Sequence, residues 1–219
     1  MREASKTWDI WTDEEKGFLV GSGIDIGCGD CPIKADCRRF DVEDGDANCI
    51  EKYVQDKFDY VFSSHCLEHM DDPREAIKGW WNLVKPGGVM IVVVPDEDLY
   101  EQGVFPSQFN PYHKWTFTIS KRTSWSPKSI NVLDLVEALD DVKIFKVELQ
   151  DAGYRRKRLR FGKVGFFGRC VRRFYFSIFR RLPRVGDSSA ARAFFSHFFP
   201  IDQTLDGAMA QIQLRVRKK

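Results

Sequence analysis

Two short stretches of this 219-residue sequence contain residue types that could carry chemistry. The first is the glycine turn Gly23–Gly29 (GIDIGCG), whose alternating isoleucines predict a short buried strand. Gly27 and Gly29 allow the backbone to leave that strand in a tight turn that can hold a nucleotide-sized ligand. The turn lacks the third glycine of G-x-G-x-x-G, and Asp30 stands where a pyrophosphate would meet helix amides. We therefore predict a ligand other than a dinucleotide.

The second stretch runs from His65 to His69 and spells H-x-x-E-H. Inverted zinc proteases use this motif inside a helix, with two histidines on the metal and the glutamate activating water. Here it follows a predicted buried strand directly and ends at Asp71-Asp72-Pro73, which argues against a protease. The carboxyl end of such a strand is where open α/β sheets bind ligands, so His65 is predicted to be a general base. His69 and His113 are the alternatives.

Six cysteines raise the question of disulfides or metal. Cys28 and Cys31, with Cys37 nearby, resemble half of a zinc site, but the sequence has no second C-x-x-C or H-x-H pair to supply the remaining ligands. A chain of this length buries enough apolar surface without covalent links, and cytosolic thiols stay reduced. We expect free thiols and no metal.

The pattern of apolar residues predicts alternating strands and helices. Thr12 with Glu15 forms a capping box at the start of a helix within residues 7–20. Further on, the sequence predicts strands at 37–40, 58–63, 89–94, 142–149 and 209–216, and helices at 72–83 and 129–139. The run Val89–Val94 is apolar throughout, as in a central parallel strand covered on both faces. Strand, helix, glycine turn and strand form a βαβ unit.

Five of these segments, taken in order, resemble the class I S-adenosylmethionine-dependent methyltransferases. They are GIDIGCG, an acid at Asp41, Gly45-Asp46-Ala47, FDYVFSSHCLEHMDDP and LVKPGGVMIVVVPD, and together they span about residues 18–97. The resemblance implies an α/β fold, a Rossmann-like doubly wound, mostly parallel seven-stranded sheet with an antiparallel last strand. It also implies S-adenosyl-L-methionine as the cofactor.

The resemblance assigns roles to individual residues. The glycine turn passes under the methionine part of the cofactor, Asp41 binds the ribose hydroxyls, and Asp46 with Ala47 meets the adenine. The spacing between Gly29 and Asp41 is short for the family, so the intervening helix must be short or absent. The cofactor-binding residues implied are Asp25, Gly27, Cys28, Gly29, Asp41, Asp46, Ala47, Ser63 and Ser64.

Within that family, HCLEHMDDP and VVPDEDLYEQG look most like small methyltransferases of bacterial surface-polysaccharide gene clusters. This likeness implies methyl transfer to a hydroxyl of a sugar, sugar nucleotide or glycan acceptor. Tyr112, Trp115 and Phe117, in the long irregular stretch 95–127, are predicted to stack on the acceptor ring. Two alternatives remain open, an RNA methyltransferase that uses the basic run Arg155–Arg160 and a non-catalytic cofactor-binding or interaction protein.

Basic and acidic residues are unevenly distributed along the chain. Residues 151–185 hold twelve Lys or Arg and one acidic residue, whereas the remainder holds 22 basic and 31 acidic residues. We expect a methyltransferase domain at 1–150 and 201–219, and a basic, aromatic and helical insertion at 151–200. Within the insertion, Lys163–Arg181 predicts an amphipathic helix that binds an anionic membrane surface or packs on its own domain.

At 100° per residue, that helix gathers an apolar side and an arginine side. The apolar side comprises Phe167, Cys170, Val171, Phe174, Ile178 and Phe179, and the other side comprises Arg169, Arg172, Arg173 and Arg180. The N-terminal residues lack the apolar centre of a secretory signal, and no apolar run is long enough to span a bilayer. We expect a cytoplasmic protein, peripheral on the membrane if the helix binds lipid. No pattern indicates an oligomeric state.

Overall fold

The computed structural model describes residues 3–119, 121–162, 164–179 and 189–219. In this part of the chain, six strands form the central sheet and two form a separate parallel pair. The strands are β1 (Gly23–Ile26), β2 (Arg38–Phe40), β3 (Phe58–Ser64), β4 (Val84–Pro95), β5 (Thr116–Thr118), β6 (Ser129–Asn131), β7 (Val142–Gln150) and β8 (Gln211–Lys218). The central sheet has the order β2-β1-β3-β4-β8-β7, and β5 pairs with β6.

The sheet is parallel from β2 to β4, and β8 runs antiparallel to both β4 and β7. From β1 the chain goes to β2 on one side and then to β3 on the other, so the strand order reverses between β1 and β3. The carboxyl ends of these two strands border the crevice where open α/β sheets bind ligands. This arrangement confirms the predicted mostly parallel, doubly wound fold with an antiparallel last strand.

The central sheet of the described residues has six strands rather than the seven we predicted. Between Phe40 and Phe58 the described chain forms only a 3-10 helix, Ala47–Lys52, before β3 begins. The 17 residues there are too few for another strand with a crossover connection on each side, since each parallel connection typically takes about a dozen residues. The sheet therefore ends at β2 on this side.

The helices are α1 (Glu3–Ile10), α2 (Asp13–Lys16), α3 (Pro73–Asn82), α4 (Val132–Glu137), α5 (Phe166–Phe179) and α6 (Ser189–Phe195). The predicted helix at 7–20 is in fact two helices, because Thr12 adopts an extended conformation with ψ 164°. Thr12 caps α2 through the predicted capping box with Glu15. Asp72 caps α3, and Pro73 is its first residue, as expected for a helix N-terminus.

Buried side chains alternate between the two faces of the sheet. Tyr60 and Phe62 pack with Trp11 on one face, while Val61 and Met90 pack with the helix α3 tryptophans on the other. Trp11 also donates a hydrogen bond of 2.6 Å from its indole to Gln213 Oε1 on β8. Because both faces are covered, residues 60–62 of β3 and 89–94 of β4 are apolar and buried.

The segment before β8 contains α5 and α6, which contact each other through aromatic rings. Tyr175 lies 4.7 Å from Phe195 and 5.5 Å from Phe199, measured between ring centroids. Lys163, Arg180 and Arg181 of the predicted amphipathic helix lie outside the described residues. In the described part of the chain, no helix combines the length and the apolar character needed to cross a bilayer.

Candidate active site

The glycine turn follows β1 and is shaped by two left-handed glycines. Gly27 has a φ of +76°, and a Cβ added there would lie 2.6 Å from Cys66 Sγ. Gly29 has a φ of +56°, and its amide donates a hydrogen bond to Asp41 Oδ2. Glycine is required at Gly27 for both conformation and space. The turn and Asp41, which follows β2, are thus joined directly, as the parallel pairing of β1 and β2 dictates.

A cavity of about 550 Å³, here called the nucleotide cavity, opens beside this turn. Asp41, Asp46, Ala47, Tyr53, His65 and Met70 are among its lining residues. The pKa of the Asp46 carboxyl is lowered because it accepts hydrogen bonds from the Asn48 backbone and side chain. The nucleotide cavity therefore combines apolar walls with carboxylates that can accept hydrogen bonds from hydroxyl or amino groups.

A second cavity of about 240 Å³, the turn cavity, is also lined by Gly27. Asp25, Cys28, Gly29 and Ser64 contribute to its lining. Asp25 is 1% exposed; its Oδ2 accepts a hydrogen bond from Ile33, and its Oδ1 has no hydrogen-bond partner among the described residues. Burial raises the pKa of this carboxyl to about 7. A buried carboxylate with an unused oxygen favours a cationic ligand group.

His65 lies where β3 ends, in a left-handed conformation with a φ of 55°. Its amide donates a hydrogen bond to the Val93 carbonyl, which fixes the residue against β4. The His65 Nε2 atom lies 3.0 Å from Gln211 Oε1, and Nδ1 lies 3.4 Å from Glu68 Oε1. The Gln211 side-chain amide donates its two hydrogen bonds to Thr7 and Gln150. Its Oε1 therefore accepts the hydrogen bond that His65 Nε2 donates.

A third cavity of about 160 Å³, the histidine cavity, brings together the three predicted catalytic histidines, His65, His69 and His113. Glu68, Tyr100 and Asn110 also line it. His65 borders all three cavities, and His69 borders both the nucleotide cavity and the histidine cavity. The three spaces therefore meet at His65.

Glu68 lines the same cavity as these histidines and is completely buried. Its burial would raise the pKa of the carboxyl, but His65, His113 and His69 outweigh burial and lower it. His113 is 6% exposed and forms a 2.7 Å hydrogen bond from Nδ1 to Glu101 Oε1. His69 Nδ1 lies 3.0 Å from the Tyr112 carbonyl oxygen. The arrangement is a buried layer of alternating carboxylates and imidazoles.

Not every predicted site residue reaches these cavities. Ser63 is fully buried, and its hydroxyl donates to the Ile26 carbonyl, so it links β3 to β1. Phe117 has no exposed surface and belongs to the core, which excludes it from stacking on an acceptor. The Trp115 indole donates to the Met70 carbonyl and carries Lys128 on its face. Tyr112 is exposed, and its backbone contacts His69.

Sequence reasoning missed Gln211 and Glu101, and it gave Glu68 a role only in the protease motif. Gln211 starts β8 and reaches His65 across the sheet, whereas Glu101 ends a π-helical turn, Glu97–Glu101, after β4. Neither residue belongs to a recognisable motif. The only sequence signal for these two residues is that they are polar and lie next to apolar strands, at the end of the sheet where the parallel strands have their carboxyl ends.

Comparison with known proteins yields a family match. The family model described as a methyltransferase domain matches residues 9–133, which is more than half of the chain. A structure assigned as a sarcosine dimethylglycine methyltransferase from Galdieria sulphuraria superposes with a TM-score of 0.52 at 12% identity, covering 98% of this chain and 84% of that chain. Coclaurine N-methyltransferase bound to N-methylheliamine and SAH superposes with a TM-score of 0.50 at 10% identity, covering 99% and 70%. None of the curated proteins matches significantly.

Proposed function

Because the chain belongs to the methyltransferase domain family, we propose that it transfers the methyl group of S-adenosylmethionine to a hydroxyl of a sugar, sugar nucleotide or glycan. The observation that carries the proposal is the position of His65, which borders the nucleotide, turn and histidine cavities at once. A candidate base thus lies between the space suited to the cofactor and a small polar space suited to an acceptor.

The chain's own residues fit the cofactor. The unused Oδ1 of Asp25 suits the ammonium group of the methionine part, next to a turn at which only glycine leaves room. Asp41 suits the ribose because one carboxylate can accept hydrogen bonds from two hydroxyl groups at once. Asp46 and Ala47 line the nucleotide cavity, as a contact with adenine requires. The cofactor supplies an activated methyl group on its sulfonium.

The protein then has to align the acceptor oxygen with the methyl group and remove a proton. Gln211 holds His65 Nε2, which leaves Nδ1 as the atom that takes the proton of the acceptor hydroxyl. The Glu68 carboxylate, 3.4 Å from Nδ1, stabilises the resulting imidazolium. His69 and His113 are the alternative bases, and Tyr112 is the predicted aromatic residue exposed enough to meet a sugar ring.

Calorimetric titration with S-adenosylhomocysteine tests the cofactor assignment, with one site per chain expected. Transfer of radiolabelled methyl groups to sugar nucleotides, glycans and mixed RNA then tests the acceptor class. Label on a sugar hydroxyl supports the proposal. Label on RNA would favour the alternative based on Arg155–Arg160, and binding without transfer to any acceptor would favour a non-catalytic protein.

The basic insertion supports a second part of the proposal, reversible binding to an anionic membrane surface. Helix α5 packs on the protein through Gly168 and Tyr175, yet Phe167 and Phe174 are 69% and 61% exposed. Arg169 and Arg173 are also exposed, and at 100° per residue they lie on the other side of the helix from these two phenylalanines. Exposed phenylalanines on one side of a helix and arginines on the other are the arrangement that interfacial helices use at anionic lipids. Such binding would suit an acceptor handled at a membrane.

Co-sedimentation with anionic and neutral vesicles tests this part. We expect Arg169→Glu with Arg173→Glu to weaken binding to anionic vesicles by roughly 2 kcal/mol or more, since each basic residue near the surface contributes about 1 kcal/mol. The matched control reverses Arg155 and Lys157, which are exposed elsewhere in the same segment. Equal losses in the two variants would indicate general charge attraction, and no binding by the wild type would refute the proposal.

A further inference from the structure

Glu68, His69 and His113 offer one oxygen and two nitrogen ligand atoms that lie within 4.8 Å of one another. The group forms part of the wall of the histidine cavity, so a ligand bound there would face the acceptor space. Zinc–nitrogen bonds of about 2.0–2.1 Å place tetrahedral ligand atoms roughly 3.3 Å apart. Small side-chain rotations would therefore bring the three atoms onto one ion.

In both His69 and His113, one ring nitrogen donates a hydrogen bond to an acceptor oxygen. The Tyr112 carbonyl oxygen can only accept, so His69 Nδ1 carries the proton in that 3.0 Å contact. The Glu101 carboxylate holds His113 Nδ1 in the same way at 2.7 Å. Metal-binding histidines almost always donate their other ring N–H to a carboxylate or a backbone carbonyl. In both residues, Nε2 is left to present a lone pair.

Glu68 provides an independent observation. The residue is completely buried, and neither carboxylate oxygen accepts a hydrogen bond from the described residues. Its Oε1 lies 3.4 Å from His65 Nδ1 and 3.8 Å from His113 Nε2. A buried carboxylate without hydrogen bonds is costly unless a cation compensates it. The Nε2 lone pair of His113 would otherwise face this carboxylate directly.

We infer that Glu68, His69 and His113 bind one divalent transition-metal ion, with Zn²⁺ as the ion that fits this donor set. Two imidazoles and one carboxylate, with a position left for water or substrate, form the ligand set of catalytic zinc sites. The site differs from the H-x-x-E-H arrangement because His65 is held by Gln211 and His113 takes its place. It departs from our expectation of no metal, since the third ligand lies in a distant segment.

The role of the ion rests on the proposed function, whereas the binding site does not. A Zn²⁺ ion held by these residues would make an acceptor hydroxyl bound to it more acidic, and His65 would take the hydroxyl proton. The oxygen electron pair then forms the new O–C bond to the methyl group. The C–S bond breaks toward sulfur, which neutralises the sulfonium and releases S-adenosylhomocysteine.

The experiment begins with protein purified without a metal-affinity tag, stripped with a chelator and titrated with ZnCl₂ by calorimetry. We expect one Zn²⁺ per chain for the wild type and at least a tenfold loss of affinity in Glu68→Gln and His113→Gln. Glu101→Gln, which replaces the charged acceptor of the His113 Nδ1 proton by a neutral amide, should weaken binding about 10- to 100-fold. The matched control is His197→Gln, an exposed histidine outside the cluster.

Substitution with Co²⁺ tests the wild-type protein alone and so does not depend on whether buried-site variants fold. A visible spectrum of nitrogen and oxygen coordination supports the site, whereas a thiolate charge-transfer band would place the ion on Cys28, Cys31 or Cys37 and overturn it. Absence of Zn²⁺ binding by the wild type would also overturn it, and would mean that a protonated histidine compensates Glu68. Equal affinity of the wild type and Glu68→Gln has the same consequence.

Titration of S-adenosylhomocysteine in the presence and absence of Zn²⁺ separates this inference from the proposed function. Metal binding without cofactor binding would refute methyl transfer and leave the site intact. Cofactor binding and turnover that are insensitive to the chelator would refute the role of the ion. We expect the chelator to lower turnover and to leave the affinity for S-adenosylhomocysteine unchanged.

Discussion

The nucleotide cavity and the histidine cavity are neighbours built in different ways. The first is formed mostly by backbone turns and carboxylates that follow β1 and β2, with a smaller part from residues after β3, and its lining lies between Gly27 and Met70 in the sequence. The second gathers side chains from the end of β3, from the loop around Tyr100–His113 and from the residues just before β8. One is shaped by local sequence and the other by the tertiary fold. Variants in the two cavities should therefore fail in different ways.

The largest effect is expected from filling the glycine turn. Gly27→Val should abolish S-adenosylhomocysteine binding, because its Cβ would meet the Cys66 side chain 2.6 Å away. Gly87→Val is the matched control, since Gly87 has a φ of +77° but no atom within 4 Å of an added Cβ. Calorimetry on both variants separates backbone strain from loss of space. Retained binding in Gly27→Val would remove the assignment of the turn.

On the histidine side, His65→Ala should lower turnover by about 10² to 10⁴, the usual contribution of a general base. Cofactor affinity should change little, because the proposed role belongs to the transition state. The measurement is kcat alongside the Kd for S-adenosylhomocysteine. If both fall together, His65 is a structural support and the base is His69 or His113.

A smaller effect is expected at Asp41. Asp41→Ala should weaken cofactor binding by about 1.5 to 3 kcal/mol, the scale of hydrogen bonds to a charged group. Part of that loss comes through the turn, since Asp41 also accepts the Gly29 amide proton. Asp30→Ala, at an exposed acid in the same turn, controls for the change in charge. Equal affinity in the Asp41 and Asp30 variants would contradict the ribose assignment.

The smallest effect is a pH dependence at Asp25. Since the pKa of its carboxyl is about 7, cofactor affinity should fall about tenfold from pH 8 to pH 6, as protonation removes the charge that faces the ammonium group. In the absence of cofactor, the stability of the folded protein depends on pH in the opposite direction. The folded state keeps a proton that the unfolded chain releases near pH 3.8, so stability falls as the pH rises from about 4 to 7.

Asp25→Asn should make both profiles flatter, in calorimetric titration and in thermal unfolding without cofactor. The variant should also bind S-adenosylhomocysteine more weakly than the wild type at pH 8. A wild-type affinity that does not change between pH 6 and pH 8 would contradict a contact between Asp25 and the ammonium group.

The difference between the cavities also explains what the sequence could predict. Gly27 is predicted from the glycine turn itself, Asp41 and Asp46 from the resemblance to methyltransferases, and all three residues line the nucleotide cavity. Phe117 and Ser63 have suitable chemistry, but an alternating pattern does not reveal which side chains the core takes. Glu68 and His113 approach each other only after β3, β4 and the intervening loop have folded. No spacing rule connects them.

The short connection between β2 and β3 has another consequence, for the edges of the sheet. It leaves β2 as an edge strand of three residues, with Arg38 and Arg39 exposed. At the opposite edge, β7 carries Lys143 and Lys146, and its register is interrupted between Ile144 and Lys146. Short strands, outward basic residues and irregular register all hinder the addition of a strand from another molecule. The sheet thus ends in two edges that resist self-association through backbone hydrogen bonds.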